Sequence, residues 1–220
     1  MSGLDLVIGD AADFLIQDSI GRRTGFDSTN RQAVNEIPQS AHFLDAIADA
    51  ETGSLAEGIT HSAQIFHPGS GTYTVIMTGV KTGLYTLAIR AFSQDGSAQP
   101  LVTVQGIAGV DSVSQFEVRF NPAPGATPQA ERVATFSSTL GDIDNALQLE
   151  LIKNQGVSNS LSTKIKRALA ALSNGNKQAS RDILGAFLNE VAAAGRNKHI
   201  TALIAEVLTQ DAQSLSAQTQ

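Results

Sequence analysis

Gly69-Ser-Gly-Thr-Tyr-Thr-Val-Ile-Met-Thr-Gly-Val-Lys-Thr-Gly-Leu-Tyr-Thr-Leu-Ala-Ile-Arg90 decides the fold. Tyr73, Val75 and Met77 fall on one face of an extended chain, with Thr72, Thr74 and Thr78 on the other. After a turn bounded by Gly79 and Gly83, Tyr85, Leu87 and Ile89 resume the alternation against Thr86 and Ala88. Successive side chains of a strand point to opposite faces, so this period-two pattern, rich in β-branched and aromatic residues, marks strands. Two such runs across a glycine-bounded turn read as a β-hairpin.

Weaker strands surround it. Asp5-Leu-Val-Ile and Asp13-Phe-Leu-Ile-Gln read as an early pair or as one bent strand; Leu101-Val-Thr-Val-Gln and Ser114-Gln-Phe-Glu-Val-Arg-Phe120 close the region. Short strands separated by Gly, Pro and Ser turns predict an antiparallel sandwich over residues 1–122. Between Phe43 and Glu57, Leu44, Ile47 and Ala48 have helical spacing, but Thr52-Gly53 stops a helix early, so a loop with at most one helical turn is expected there.

The pattern changes near residue 130. All six prolines lie in the first 128 residues, as do both tyrosines. Residues 1–128 carry six basic and thirteen acidic side chains, whereas 129–220 carry nine and eight, so the acidic excess belongs to the first part. Asn121-Pro-Ala-Pro-Gly-Ala-Thr-Pro128 opens a stretch, 123–139, that reads as a linker, because each proline biases its predecessor toward extended geometry. Beyond it the period becomes helical over Ile143–Asn154, Leu161–Ser173, Lys177–Ala194 and His199–Leu215. Gly156 is expected just past the first helix, Ser158 or Ser160 as the cap of the second, and Gly175 at its stop. Each helix is amphipathic, so four of them over 140–216 predict an antiparallel bundle, with the polar tail after Leu215 fraying. The fold class is α+β by segregated domains, a jelly-roll-like sandwich followed by a four-helix bundle.

Composition excludes several functions. The net charge is −6 and the pI about 5.1, against the basic excess that tracking nucleic-acid phosphates requires. Without cysteine there is no disulfide scaffold, thiolate zinc site or cysteine nucleophile. No apolar run approaches the roughly 18 residues of a spanning helix. Met1-Ser-Gly-Leu-Asp lacks a basic n-region, so the chain is expected to be intracellular or a piece of a longer exported one. Gly-x-Ser-x-Gly, Walker and Gly-x-Gly-x-x-Gly patterns are absent, and Gly69-Ser70-Gly71 leads into a strand where a nucleophile elbow leads into a helix.

Two resemblances enter at these residues. Gly-Thr-Tyr73-x-Val75, then Gly83-x-Tyr85-x-Leu87-x-Ile89, resembles the closing strands of the bacterial pre-peptidase C-terminal domain, a jelly-roll-like sandwich attached to exported enzymes. Phe14-Leu-Ile-Gln-Asp18, Ser-Ile-Gly21-Arg-Arg and Gly25-Phe-Asp27 resemble its strand, Asp-x-x-Gly turn and second strand. The likeness spans about residues 4–120, although 38–66 departs from it. From Leu147 to Leu215 the chain resembles the FIMAH domain, a small bundle found towards the C-termini of large bacterial extracellular proteins. Leu151-Ile152, Leu161-x-x-Lys164-Ile165-x-x-Ala168-Leu169, Gly175-Asn176-x-x-Ala179, Leu184-x-Ala186-Phe187-x-Asn189-x-Val191 and Ile200 to Leu208 carry that resemblance. Together they imply an exported or cell-surface location, as part of a longer polypeptide.

Candidate chemistry is thin. Arg22 and Arg23 on a glycine-rich turn suit bidentate capture of a carboxylate or acidic sugar, with Asp18 and Asp27 beside them; the local alternative, preferred here, is that the arginines pair with those aspartates and fix the turn. Asp45, Asp49 and Glu51 are weak calcium candidates whose spacing does not match an EF-hand loop. Asp10, Asp13, Asp18 and Asp27 read as turn carboxylates, and His61 with His67 falls short of a zinc set, leaving no cofactor beyond that calcium option. Tyr73 and Tyr85 share faces with Val75 and Leu87, which places them in the core, and an aromatic content of 5% without tryptophan disfavours a sugar platform. Lys164, Lys166, Arg167 and Lys177 form a small basic cluster, read as a solvated face.

These readings point to a non-catalytic binding, adhesion or positioning module whose partner is an extracellular protein or polysaccharide and which binds no nucleic acid. The loops 20–30 and 45–62 are its expected surface. The alternatives are an accessory substrate-binding domain of a secreted hydrolase and a metal-dependent enzyme using the Asp/His-rich loop.

Overall fold

Two antiparallel sheets followed by four helices realise the segregated α+β architecture that the two periodicities predict. The computed structural model describes the backbone of residues 1–9, 11–48 and 55–219, with side chains described outside 45–59. The strands are β1 Gly3–Ile8, β2 Ala12–Gln17, β3 Arg23–Asp27, β4 Gln32–Asn35, β5 Ser40–Ala48, β6 Leu55–Phe66, β7 Gly71–Gly79, β8 Gly83–Phe92, β9 Val102–Ala108, β10 Val113–Phe120 and β11 Gln129–Val133. The helices are α1 Phe136–Gln148, α2 Gln155–Ser173, α3 Lys177–Arg196 and α4 Ala202–Gln218.

One sheet runs β5-β6-β1-β8-β9 and the other β11-β10-β7-β2-β3-β4. Leu4, Leu6, Ile8, Leu87 and Ile89 of the first sheet and Phe14, Ile16, Val75, Met77 and Phe116 of the second are buried in one cluster between them. This is sandwich packing.

The expected hairpin is not a hairpin. β7 pairs with β2 and β10, whereas β8 pairs with β1 and β9, so the Gly79–Gly83 connection arches from one sheet to the other. The buried faces are those that the alternation predicts, because Tyr73, Val75 and Met77 meet the same core as Tyr85, Leu87 and Ile89. Patterning specifies which face is buried and is silent on the hydrogen-bonding neighbour. Gly79 marks the arch: a Cβ there would lie 2.0 Å from the Gly109 carbonyl oxygen of the neighbouring turn. β1 and β2 likewise sit in different sheets, neither paired nor one bent strand.

Two more expectations are corrected. The stretch Phe43–Glu57, expected to be a loop, contributes to β5 and β6, which pair antiparallel with a register shift between Ala46 and Ala48. Pairing across the sheet overrides the weak local strand preference. The stretch 123–139, read as a linker, contains β11, paired with β10 from Gln115↔Val133 to Arg119↔Gln129, and the start of α1.

Each helix begins at a side-chain cap. Thr135 and Ser138 form a reciprocal capping box before α1, and Thr201 caps α4. α2 is capped by Asn154, which accepts from the amides of Gly156 and Val157, so Gly156 lies in its first turn and neither Ser158 nor Ser160 is the cap. The tail past Leu215 is held: α4 continues to Gln218, whose Nε2 donates to Ala134 O, and Arg181 Nη1 donates to Thr219 O. Ile143, Ile165, Phe187, Val191 and Leu208 fill the bundle core. Ile107 and Ala134, from the strand half, belong to that same cluster.

Candidate functional site

The arginine turn resolves into two ion-paired groups. Gly21 (φ +88°) closes the turn after β2, and its amide donates to Asp18 O. Arg22 Nε donates to Asp18 Oδ2 at 2.7 Å, and the amides of Ile20 and Arg22 donate to Asp18 Oδ1. Partial burial works to raise the Asp18 carboxyl, but these bonds outweigh it and hold the group below the usual carboxylate range. Arg23, at the start of β3, donates to Asp27 Oδ2 and, with Nη2, to Glu36 Oε1, both at 2.8 Å. Asp27 also receives the Asn30 side chain and the amides of Thr29 and Asn30. Burial pushes Asp27 upward, and this ring of donors brings it below its ordinary value. Glu36 was not singled out by sequence, since its place opposite Arg23 follows from the β3–β4 register. A shallow concavity of about 320 Å³ opens beside Arg23 and Asp27 on the outer face of the six-stranded sheet.

A second polar group lies at one end of the sandwich. His61 Nδ1 stands 2.6 Å from Asp13 Oδ1, and the His42 ring is 6.2 Å from that of His61, centroid to centroid. Burial, then the neighbouring His61, depress the His42 pKa, with Asp13 opposing. His67 lies apart, with Nδ1 against Gln39 Oε1. Among the described residues no group of three or more His, Asp or Glu converges as a metal set. The Asp45 side chain and the whole of Asp49 and Glu51, the calcium candidates, lie outside the described residues, as does Asp10. In the basic cluster, Lys164 faces α3, with Nζ 2.5 Å from Glu190 Oε2.

The most unusual chemistry lies where the two halves meet. β9 and β11 are the edge strands of their sheets on the same side of the sandwich, and α1 and α4 pack across that side. Arg132 on β11 points inward, its guanidinium 5.5 Å over the Phe116 ring. Nε donates to Asp211 Oδ1 of α4 at 2.5 Å, Nη2 to Asp142 Oδ2 of α1, and Nη1 to the Tyr85 hydroxyl at 3.2 Å. All three charged groups are buried. Tyr85 reaches the guanidinium because its ring lies over Gly106, where a Cβ would stand 2.2 Å from the phenolic oxygen.

Two carboxylates around one guanidinium leave a buried unit of negative charge, which a low-dielectric interior does not tolerate. Burial, reinforced by Asp211 and opposed by Arg132, pushes the Asp142 carboxyl up to about 8. Asp142 therefore holds its proton near neutral pH and can donate it to Asp211, whose Oδ2 has no other donor. The cluster is then neutral and satisfied. Sequence reasoning missed it, although a mark was present: Asp211 sits among Val207, Leu208, Ala212 and Leu215, and Asp142 beside Thr139, Ile143 and Ala146, each within an apolar stripe. A carboxylate on a buried stripe implies a partner.

Beside this cluster, β9, β11 and α4 enclose a groove of about 690 Å³ with Arg132 at its edge. No helix of the described residues is long and apolar enough to cross a membrane. No curated protein and no solved structure matches the chain, and the sandwich finds no family match to support its resemblance. Residues 141–217, the helical half, match the family model of the FIMAH domain.

Proposed function

We propose that the chain is a non-catalytic binding and positioning module of a bacterial surface or exported protein. One observation carries the reading: among the described residues, the candidates Arg22, Arg23 and His61, together with the Arg132 cluster that the fold adds, are engaged in pairs with neighbouring carboxylates. Arg22 holds Asp18, Arg23 holds Asp27 and Glu36, His61 faces Asp13, and Arg132 joins Asp142 to Asp211. Groups engaged in this way fix turns and interfaces. The open relief of the described surface includes the outer concavity and the larger groove against α4. The FIMAH match supports a surface-protein setting, in which a rigid core presents side chains to a macromolecule.

The test is an array of glycans and extracellular-matrix proteins probed with the full chain, beside a panel of ester, peptide and glycoside reporters. Retention of a macromolecule with all reporters left intact is expected. Reporter turnover that disappears on His61→Ala or Asp13→Asn overturns the reading in favour of an enzyme.

A further inference from the structure

β9 and β11 end their sheets with one side unpaired: among the described residues β9 pairs with β8 alone and β11 with β10 alone. The bundle covers these edges at their Ile107 and Ala134 ends, where both residues join the helical core. Residues 102–105 of β9 are left facing the groove. Main-chain N–H and C=O groups along a free edge form a ready template for another strand. On β9 the pattern is already that of a sheet awaiting a neighbour: Val102 and Val104 are half-buried against the sandwich core, and Thr103 and Gln105 are exposed. Across the groove α4 supplies Leu203, Val207, Gln210 and Gln213.

Charge narrows the occupant. The guanidinium of Arg132 is matched by Asp142 and Asp211, and Glu131 is held bidentately by Arg119. Glu206, touched by the Gln210 amide, is left to set the sign of the groove. The whole chain is acidic as well, with a net charge of −6. An anionic polymer is disfavoured on both counts.

We propose that this groove takes an extended peptide segment of a partner protein as an added strand on β9, with apolar side chains at alternate positions against Val102 and Val104 and a basic side chain towards Glu206. Main-chain pairing supplies affinity in such a mode, and the alternate side-chain positions supply selectivity. The volume falls within the range of about 300–1,000 Å³ that binding clefts occupy. The assignment rests on the reading of the chain as a binding module and names the class of partner.

The probe is a displayed library of random peptides about seven residues long, the reach of an ordinary strand, panned on the full chain. Gln213 and Ala217 are exposed on α4, so Gln213→Arg and Ala217→Arg narrow the groove while leaving the melting temperature unchanged. Enriched peptides are expected to alternate apolar and polar residues and to carry Lys or Arg. They should lose about tenfold or more in affinity to either arginine variant, and on methylation of alternate backbone nitrogens. Amide exchange at residues 102–105 should slow on binding, and Glu206→Lys should weaken the basic peptides selectively. Peptides that bind equally to the arginine variants, that tolerate backbone methylation, or that leave exchange at 102–105 unchanged overturn the assignment. So does a library that yields no groove-dependent peptide. In that case, glycan or matrix binding that survives Gln213→Arg keeps the module reading and rejects only the peptide strand.

Discussion

Arg132 is the residue on which most of the interior electrostatics turns. Removing one partner from a buried ion pair leaves the other uncompensated, at a cost of about 3–5 kcal/mol. Arg132→Ala is therefore expected to destabilise the protein by that amount in denaturant titration, more than any substitution of the exposed Arg119–Glu131 pair. Asp142 yields a second expectation, with a definite sign. Its carboxyl is raised, so between the ordinary carboxylate range and about pH 8 the folded protein holds a proton that the unfolded chain has released. Stability from this group is complete at low pH and falls as pH rises through that window. Asp142→Asn, a mimic of the protonated acid, should flatten that decline in melting temperature between pH 5 and 8. The variant-minus-parent difference is the quantity to read, because Asp5, raised by burial, acts in the same direction and His42, depressed by burial, in the opposite one. Asp18, Asp27 and Glu36, held low, act below the ordinary carboxylate range and do not enter this window.

At the scale of elements, helix ends and strand partners behaved differently as sequence problems. Thr201 lies in a β conformation (φ −73°, ψ 160°) and its side chain accepts from the Ile204 amide, so Thr201→Ala should cost about 1 kcal/mol in thermal or chemical unfolding. The helices were legible because their period is local: Leu161, Ile165 and Ala168 bury one face whatever lies opposite. The burial faces of β7 and β8 were legible for the same reason. Their partners were not, since β1 lies between β6 and β8, over forty and seventy positions away along the chain, and alternation carries no address. β11 escaped notice because Gln129-Ala-Glu-Arg-Val133 has little apolar alternation: its inward residue is Arg132, a charge where a hydrophobe is expected. Of the expected site, the pairing of Arg22 with Asp18 and of Arg23 with Asp27 lay within local sequence, whereas Glu36 entered through sheet register.

As a whole molecule, the two halves form cores that touch: Ile107 and Ala134 are buried among the helices, and the Ser214 hydroxyl accepts from the Ala134 amide. Calorimetry should accordingly show a single unfolding transition for the parent chain. Arg132→Ala, which removes the charged link while sparing the hydrophobic one, should split or broaden it; two resolved transitions in the parent would contradict this coupling. The segment matching the FIMAH domain, 141–217, contains both acids of the cluster, while their cation stands nine positions upstream of it on a strand of the other half. Transplanting that helical segment beneath a foreign scaffold would strand two acids without a counter-ion. A recombinant that inherits Asp142 and Asp211 is accordingly expected to be more stable where its new neighbour supplies a basic side chain in the place of Arg132.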